Sequence, residues 1–335
     1  MISILSESTL SLVAIAVQAS PLWWDIVMMA GVLVAFGVAA GFISKGTEKL
    51  EALAGQGMAG GVILGLMAAL PETIFVVIAV IHGAYPVAIG TALGGNVILF
   101  TLGIGLVAVA YFGRWKKEIV MKEDYQVDVM FLMLSTVALL VLLLYGKLDL
   151  VTGVLLFAIY GVYVVYRYSQ SHSRIMQHMR TETGRKEFLE AAMLMAVGMA
   201  IVVLFSNLFI DTIINVAGIL GIGAVWLALV ITPIASDFEE QLSAYRLARG
   251  SVGGGSTAIV SFIGGKLENN TVLLGVIGIF AAAPVYIAST APEFIAVIII
   301  NVIAIGFLAR GRFTHRQGLF MMALYFVTIA AAFIV

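Results

Sequence analysis

Ionisable side chains lie within segments of this sequence that are otherwise almost entirely apolar. The stretch GLMAALPETIFVVIAV, residues 65–80, carries a proline followed at once by Glu72. An ionisable side chain at the centre of a bilayer costs about 2.5–3.5 kcal/mol on insertion scales, so its presence indicates a function. The candidates of this kind are Glu72, Asp237, Glu239, Glu240, Lys266, Glu268 and Glu293.

The proline before Glu72 changes what the backbone offers to a ligand. Pro71 has no N–H group and interrupts helical hydrogen bonding about one turn earlier, around Ala68. Carbonyl oxygens freed in this way can face a cavity inside a membrane protein. Calcium takes about 6–8 oxygen ligands and mixes carboxylates, carbonyls and water. The pattern therefore predicts a cation site at Glu72, and a purely structural pairing with Lys266 is the alternative.

A second group of acids occurs in TPIASDFEEQ, residues 232–241. Asp237 and Glu240 are three residues apart and share one face of a helix, whereas Glu239 points about 100° away from Glu240. All three carboxylates therefore cannot enter one site. We expect Glu240 to be the main ligand, Asp237 to be a second ligand, and Glu239 to be a weaker ligand or part of a vestibule.

Membrane-spanning helices must position these residues. The chain has 335 residues, of which 62% are hydrophobic and 11% are charged, a composition typical of polytopic membrane proteins. About 20 apolar residues are needed to cross roughly 30 Å of hydrocarbon. The sequence predicts an all-α fold with ten transmembrane helices, at residues 22–45, 57–82, 85–111, 127–145, 149–168, 187–206, 221–248, 257–280, 283–309 and 317–335.

Basic residues indicate how these spans are oriented. With both termini outside, 16 of the 18 lysines and arginines lie in inner loops, as the positive-inside rule requires. The exceptions are Lys147, in an outer loop, and Lys266, within a span. The segment STLSLVAIAVQAS before the first span ends in small residues but lacks a basic start, so we expect that residues 1–20 are retained, a cleaved signal peptide being the alternative.

The chain contains an internal repeat. A shift of 168 residues places Glu72 on Glu240, and a shift of 170 residues places VAIGTALGGNVILFTLGIG over TAIVSFIGGKLENNTVLLG. Five spans separate the two copies, so the second copy is inverted relative to the first, as in many transporters. The predicted organisation is a first repeat at 1–168, a cytoplasmic linker at 169–186, which is basic and solvated, and a second repeat at 187–335.

These motifs resemble the cation/calcium antiporter superfamily, whose members include the sodium/calcium exchangers. That family carries a GTSLPEL-type motif on one helix of each repeat and a GSN-type motif on the next. Here the first repeat reads MAALPET and GGN, and the second reads ASDFEEQ and GGK. The topology and the repeat spacing extend the resemblance over nearly the whole chain, while the motifs are specific in the first half and degraded in the second.

The resemblance implies that Glu72 and Glu240 are the central calcium-binding carboxylates. Asn96 would be a supporting ligand, the carbonyl groups of Ala68 and Ala69 would assist, and Ser236 stands at the position of the motif's threonine. The implied mechanism is alternating access, in which the first and sixth helices move against the other eight. Calcium and the driving ion, sodium or protons, would compete for the same carboxylates.

The chain departs from the family pattern at several positions. Ala68 and Ala69 replace a threonine and a serine, TIFV follows Glu72 where ATS is expected, and Gly95 replaces the serine of GSN, so oxygen ligands that serve sodium are missing. This favours protons over sodium as the driving ion without excluding either, since a glutamate in an apolar site loads a proton more readily.

Lys266 stands where the family has an asparagine. A protonated amine cannot be a metal ligand, so we expect either a salt bridge to Glu268, Glu293 or Asp237, or a tethered cation that fills one monovalent site. Glu293 follows a proline in STAPEFIAV but lies too late in the second repeat to be its motif glutamate. It is interpreted as a partner for Lys266 or as a proton-relay acid.

Other functional classes receive less support. The chain has no HExxH motif and no cysteine, and its four histidines lie outside or at the edge of the spans, so an intramembrane hydrolase is not expected. The sequence predicts no enzyme activity, no cofactor and no nucleic-acid partner; inorganic cations and the lipid bilayer, most simply that of the plasma membrane, are the expected partners. The alternatives are an antiporter for a different cation and a non-transporting scaffold or sensor.

Overall fold

The computed structural model describes residues 21–54, 70–121, 125–169 and 182–331. The N-terminal segment 1–20 lies outside these ranges, and so do Ala68, Ala69 and most of the predicted linker. The predicted domain boundaries at 168 and 187 therefore stay a prediction.

The first half of the described chain is helical apart from two short strands. Strand β1 (Ile119–Val120) precedes helix α5, and strand β2 (Lys147–Leu148) follows it. The helical elements are α1 (Leu22–Ala54), α2 (Leu70–Ile81), α3 (Tyr85–Ile98), a π-helical segment (Leu99–Gly103), α4 (Ile104–Trp115), α5 (Tyr125–Tyr145) and α6 (Leu150–Ser169).

The second half follows the order of the described first half with two additions, a second helix after α8 and a 3-10 turn before α12. Strand β3 (Val285–Tyr286) and a 3-10 turn (Ala288–Thr290) precede α12, and strand β4 (Arg312–Phe313) follows it. The helical elements are α7 (Glu182–Leu220), α8 (Ala224–Ser236), α9 (Phe238–Gly250), α10 (Gly254–Glu268), a π-helical segment (Asn269–Leu273), α11 (Leu274–Phe280), α12 (Ala291–Leu308) and α13 (His315–Ala331).

Two features relate the halves by an approximate two-fold axis. The π-helical segments begin at Leu99 and Asn269, which are 170 residues apart, the same shift that aligns the sequences. Strand β1 pairs antiparallel with β4, and β2 pairs antiparallel with β3, so each pair joins a loop of one repeat to a loop of the other. When one repeat is exchanged for the other, β1 takes the place of β3 and β2 that of β4, so the β1–β4 pair becomes the β3–β2 pair. The predicted two-repeat architecture is confirmed.

Each of the ten predicted spans corresponds to helix in the described residues. Six helices there are long and apolar enough to cross a membrane, and Leu70–Ile81 and Ala224–Ile234 are shorter apolar helices. Two differences from the sequence prediction concern whether a predicted span is one continuous α-helix. The seventh span is two helices, α8 and α9, and the third and eighth spans each contain a π-helical segment.

The longest helices, α1 and α7, pack along each other. At 33 and 39 residues they extend about 50 and 58 Å at 1.5 Å per residue, longer than a hydrocarbon core is thick. Glycines permit their close approach: a Cβ at Gly46 would lie 2.8 Å from the Ala191 carbonyl oxygen, and one at Gly198 would lie 2.7 Å from that of Ala39. Small residues at helix contacts are typical of membrane bundles.

Large apolar side chains cover the outer surface of the bundle. Leu144, Val165, Leu204 and Val302 are among the exposed ones, and Trp23 is exposed at the start of α1, where an amphipathic ring suits a membrane interface. The most continuously buried helical unit is Tyr85–Trp115, which comprises α3, a π-helical segment and α4. This unit forms the centre of the molecule.

The Gly94→Ala substitution is expected to destabilise the fold by about 1–3 kcal/mol, the usual cost of overpacking. A methyl group at Gly94 would overlap the Leu229 carbonyl oxygen and approach within 2.7 Å of Pro233 Cγ. The matched control is Gly113→Ala, where nothing lies within 4 Å and the gain in helix propensity favours the folded state. Thermal melting in detergent measures both, and equal melting temperatures would contradict the close packing of α3 on α8.

Candidate cation site

The seventh span is interrupted at Asp237. Pro233 lies inside α8 and cannot donate a backbone hydrogen bond, while the Asp237 N–H group donates to the Pro233 carbonyl oxygen at 2.9 Å. Asp237 ends α8 and precedes α9, with φ −94° and ψ −3°. Helix α9 then begins at Phe238, with Glu240 in its first turn. The break brings two carboxyl groups to a helix junction inside the bundle.

Four carboxyl groups interact at this junction, and we call them the acid cluster: Glu72, Asp237, Glu240 and Glu268. The Glu72 carboxyl lies within electrostatic and hydrogen-bonding range of Asp237, and Glu240 lies within electrostatic range of both. Glu268, at the end of α10, lies within electrostatic range of Glu72 and Glu240. Glu72 belongs to the first repeat and the other three belong to the second, so the acid cluster joins the repeats.

Two glycines of the predicted GG motifs let these acids approach the central helices. Asp237 Oδ2 lies 3.2 Å from the position that a Cβ would take at Gly95 on α3. Both carboxylate oxygens of Glu240 lie 3.5 Å from the corresponding position at Gly265 on α10. Gly95 and Gly265 are related by the 170-residue shift, so each repeat contributes one helix wall without side chains.

Two oxygen atoms of the acid cluster and one of Asn96 have no hydrogen-bond donor in the described part of the chain. Among the described residues, Asn96 Oδ1, Asp237 Oδ2 and Glu268 Oε1 are buried and accept no hydrogen bond. Buried acceptors are normally satisfied, so these oxygens are candidate ligand atoms. Acceptors without donors are what a cation requires.

Two supporting residues predicted from the sequence are chain neighbours of groups at this junction, since Asn96 follows Gly95 and Ser236 precedes Asp237. Asn96 is fully buried, and its amide Nδ2 donates to the Ala92 carbonyl oxygen at 3.0 Å, which leaves Oδ1 as the available ligand atom. The Ser236 hydroxyl is within hydrogen-bonding distance of Asp237 Oδ1 (3.0 Å) and the Thr232 carbonyl oxygen (3.3 Å). Ser261 donates to Glu240 Oε1 at 3.4 Å. The Glu239 side chain lies outside the described part of the structure.

The acid cluster is not a closed metal site in this conformation. Within the described ranges, we find no group of three histidine, aspartate or glutamate side chains that is close enough to hold a metal ion. Glu72 and Glu240 are both half-buried. A cation bound here therefore requires α2, α9 and α10 to draw their carboxylates together, or further oxygens from water and backbone.

Lys266 does not form the expected salt bridge. Its ammonium group is fully buried and donates to the Asn96 carbonyl oxygen at 2.6 Å, and it lies 4.1 Å from the centroid of the Phe100 ring. No carboxylate of the described residues is within ion-pair distance of it, so the salt bridge to Glu268, Glu293 or Asp237 is not formed, and the other expected role, a tethered cation, stays a prediction. The side chain spans from α10 to α3 instead of turning toward the acids.

Glu293 lies apart from the acid cluster. It is buried in the first turn of α12, and its Oε2 has no partner among the described residues. The first turn of α5, the equivalent helix in the other repeat, carries the buried Asp128. Asp128 pairs with Arg167, whereas the expected pairing of Glu293 with Lys266 is absent. Its interpretation as a proton-relay acid stays a prediction.

Two side chains near the site were not identified from the sequence. Asn269 is buried, and its amide contacts Gly95 beside Asp237 Oδ2; its position four residues after Gly265 on one helix face was the available signal. Tyr160 on α6 lies within hydrogen-bonding range of Glu268. Nothing in the apolar segment around Tyr160 indicated this contact. Glu268, expected only to balance Lys266, belongs to the acid cluster.

Comparisons with known proteins agree with this architecture. A crystal structure of the H+/Ca2+ exchanger CAX superposes with a TM-score of 0.72 at 19% identity, covering 99% of this chain and 90% of that one. The sodium-calcium exchanger NCX_Mj soaked with 100 mM Na+ and 10 mM Sr2+ gives 0.63 at 17% identity, covering 93% and 99%. The same protein soaked with 2.5 mM Na+ and 0.1 mM Ca2+ gives 0.63 at 17% identity, covering 92% and 98%.

The search of curated proteins found no match to this sequence. The family model for sodium/calcium exchanger protein matches residues 24–169 and 190–334, one segment in each repeat. These two segments make up most of the chain, and therefore it belongs to the sodium/calcium exchanger protein family.

Proposed function

We propose that this membrane protein is a secondary antiporter that exchanges calcium, or a related divalent cation, for sodium or protons. The observation that carries the proposal is the acid cluster, in which carboxyl groups from both repeats interact inside the bundle. Bringing several acids together in a membrane is costly unless a cation or protons neutralise them. A divalent cation and its counter-ions can neutralise these carboxylates alternately.

The proposed ligands are oxygen atoms of the acid cluster and its neighbours. The carboxylates of Glu72, Glu240 and Asp237 supply charge, and Asn96 Oδ1 and Ser236 Oγ supply neutral oxygens. The carbonyl groups of Ala68 and Ala69 complete the set in the proposal. An oxygen-only set of this size suits Ca2+, which accepts 6–8 oxygens in flexible geometry, better than Mg2+ with its stricter octahedron.

Exchange follows from competition for the same carboxylates. Protons or sodium ions bound to the acid cluster neutralise the charge that attracts the divalent cation, so the two kinds of ion exclude each other. A carrier that crosses the membrane only when its carboxylates are neutralised then couples the two fluxes. The chain lacks the hydroxyl groups of the family motif at Ala68, Ala69 and Gly95, which favours protons over sodium.

Alternating access is proposed to involve α1 and α7. These helices pack mainly along each other and carry exposed apolar faces, and α7 also contacts α2, which holds Glu72. A joint movement of the pair would alter access to the acid cluster while the rest of the bundle stays together. In the proposed orientation both termini face the outside of the plasma membrane, and the β1–β4 pair faces inward.

Calcium flux into proteoliposomes under an imposed sodium or proton gradient tests the proposal. We expect uptake in response to one of the two gradients, which identifies the driving ion. Glu72→Gln removes one carboxylate charge of the cluster with little change in volume and is expected to reduce the flux at least 100-fold.

The matched control is Glu118→Gln, which alters an exposed glutamate between α4 and β1 and should leave the flux unchanged. Absence of calcium movement under both gradients would overturn the calcium assignment. If strontium, manganese or sodium alone moved instead, the protein would be an antiporter for another cation. Cation binding without flux would indicate a sensor or scaffold.

A further inference from the structure

Lys266 has no acidic partner among the described residues, although it is fully buried and lies two residues before Glu268 of the acid cluster. It is among the largest side chains with no exposed surface, and it follows Gly265 directly, the residue against which the Glu240 carboxylate lies. A buried ammonium group without a paired carboxylate is costly in a membrane protein. Its position therefore requires an explanation other than structural ion pairing.

The position of Lys266 is central to the molecule. Its ammonium group donates to the carbonyl oxygen of Asn96, which is 170 residues away in sequence. That separation equals the shift relating the two repeats, so Lys266 contacts the backbone of its own counterpart in the first repeat. Two equivalent positions can touch only near the axis that relates the repeats. The ammonium group thus lies between the two halves of the carrier.

The Lys266 ammonium group contacts two kinds of group that also bind monovalent cations, a carbonyl oxygen and an aromatic ring. A backbone carbonyl oxygen lies at 2.6 Å, and the face of Phe100 lies 4.1 Å away. Carbonyl oxygens replace the water shell of monovalent ions in channels, and aromatic faces attract cations by their quadrupole. Asn96 lies three residues before the π-helical segment that begins at Leu99, so this carbonyl oxygen is next to an irregular part of the helix.

We propose that the Lys266 ammonium is a built-in monovalent cation, held between the repeats in place of one exchangeable counter-ion. The inference rests on the proposed function and concerns its stoichiometry. The fixed charge offsets one of the four negative charges that the acid cluster carries when fully ionised. The carrier therefore needs one fewer sodium ion or proton per divalent cation than the same site with a neutral residue at position 266.

Neutral replacement of Lys266 tests the inference. Lys266→Met keeps most of the side-chain volume, and Lys266→Asn places the residue of the equivalent position, Asn96, in the second repeat. The number of counter-ions per calcium ion is read from the membrane potential at which net calcium flux stops under fixed gradients. We expect this number to rise by one in each folded neutral variant.

Lys147→Met is the matched control, because Lys147 lies in the β2 loop and pairs with Asp149, away from the acid cluster. It should leave the ratio at the wild-type value. An unchanged ratio in a folded Lys266 variant would overturn the inference. Failure of both neutral variants to fold, while Lys147→Met folds, would also overturn it, because the lysine would then be a structural requirement.

A binding measurement separates this inference from the proposed function. For purified protein in detergent, the Na+ ions and the protons that Ca2+ displaces are both counted per chain. We expect the sum to be greater by one in Lys266→Met than in the wild type. If the wild type moved no calcium, the proposed function would fail, and this count would still decide whether Lys266 replaces an ion.

Discussion

Glu240→Gln is expected to abolish calcium transport, with a loss of at least 100-fold in initial rate. Glu240 lies against Gly265 and within electrostatic range of Glu72, and the 168-residue shift makes it the second repeat's counterpart of Glu72. Glutamine retains the size and one oxygen but removes the charge that binds a divalent cation. Calcium flux into proteoliposomes, with protein incorporation quantified, measures the effect.

The control for Glu240→Gln is Glu187→Gln, which changes an exposed glutamate in the first turns of α7. The control variant should transport at the wild-type rate. Retention of more than half of the wild-type flux in Glu240→Gln would mean that Glu240 is not a ligand. In that case Asp237, which faces Gly95 beside Glu72, would be the second repeat's main carboxylate.

Arg167→Met is expected to lower the free energy of unfolding by about 3–5 kcal/mol, because it leaves a buried carboxylate uncompensated. Asp128 is fully buried, and its oxygens accept from Arg167 Nε at 3.0 Å, from Arg167 Nη2, and from the Tyr163 hydroxyl at 3.1 Å. This ion pair joins α5 to α6 inside the first repeat. Unfolding in detergent by a denaturant, followed by tryptophan fluorescence, measures the loss.

The double variant Asp128→Asn/Arg167→Met separates ion pairing from packing. With no charge left in the pair, most of the lost stability should return, because the main cost of Arg167→Met is the unpaired charge. A double variant as unstable as Arg167→Met would contradict this explanation. It would indicate that packing of the arginine side chain, instead of its charge, stabilises the two helices.

Much of the fold could be predicted because the lengths of the apolar segments and the internal repeat can both be read directly from the residue types. Ten apolar segments, the 170-residue shift and the matching GG pairs were sufficient to predict two related five-helix repeats. The break at Asp237 and the π-helical segments were not predicted. Both features are changes in backbone hydrogen bonding. The residue types Pro233 and Asn269 do not determine those hydrogen bonds by themselves, because packing against the neighbouring helix also contributes.

The site was only partly predictable for a similar reason. The repeat shift related Glu72 to Glu240, and helical periodicity placed Asp237 on the same face as Glu240. In the structure the Glu72 carboxyl lies within electrostatic range of both. Of the two roles expected for Lys266, the salt bridge does not form, because the crossing of α10 and α3 presents a carbonyl oxygen and an aromatic ring to the ammonium group. Contacts of this kind depend on tertiary packing near the axis.

The central claim is that carboxylates from both repeats form one cation site. Equilibrium calcium binding to the purified wild type, Glu72→Gln and Glu240→Gln tests it most directly. The account predicts one calcium ion per wild-type chain and loss of that ion in each single variant. One calcium ion retained at wild-type affinity by either variant would contradict the claim, because a single repeat would then bind calcium without the other.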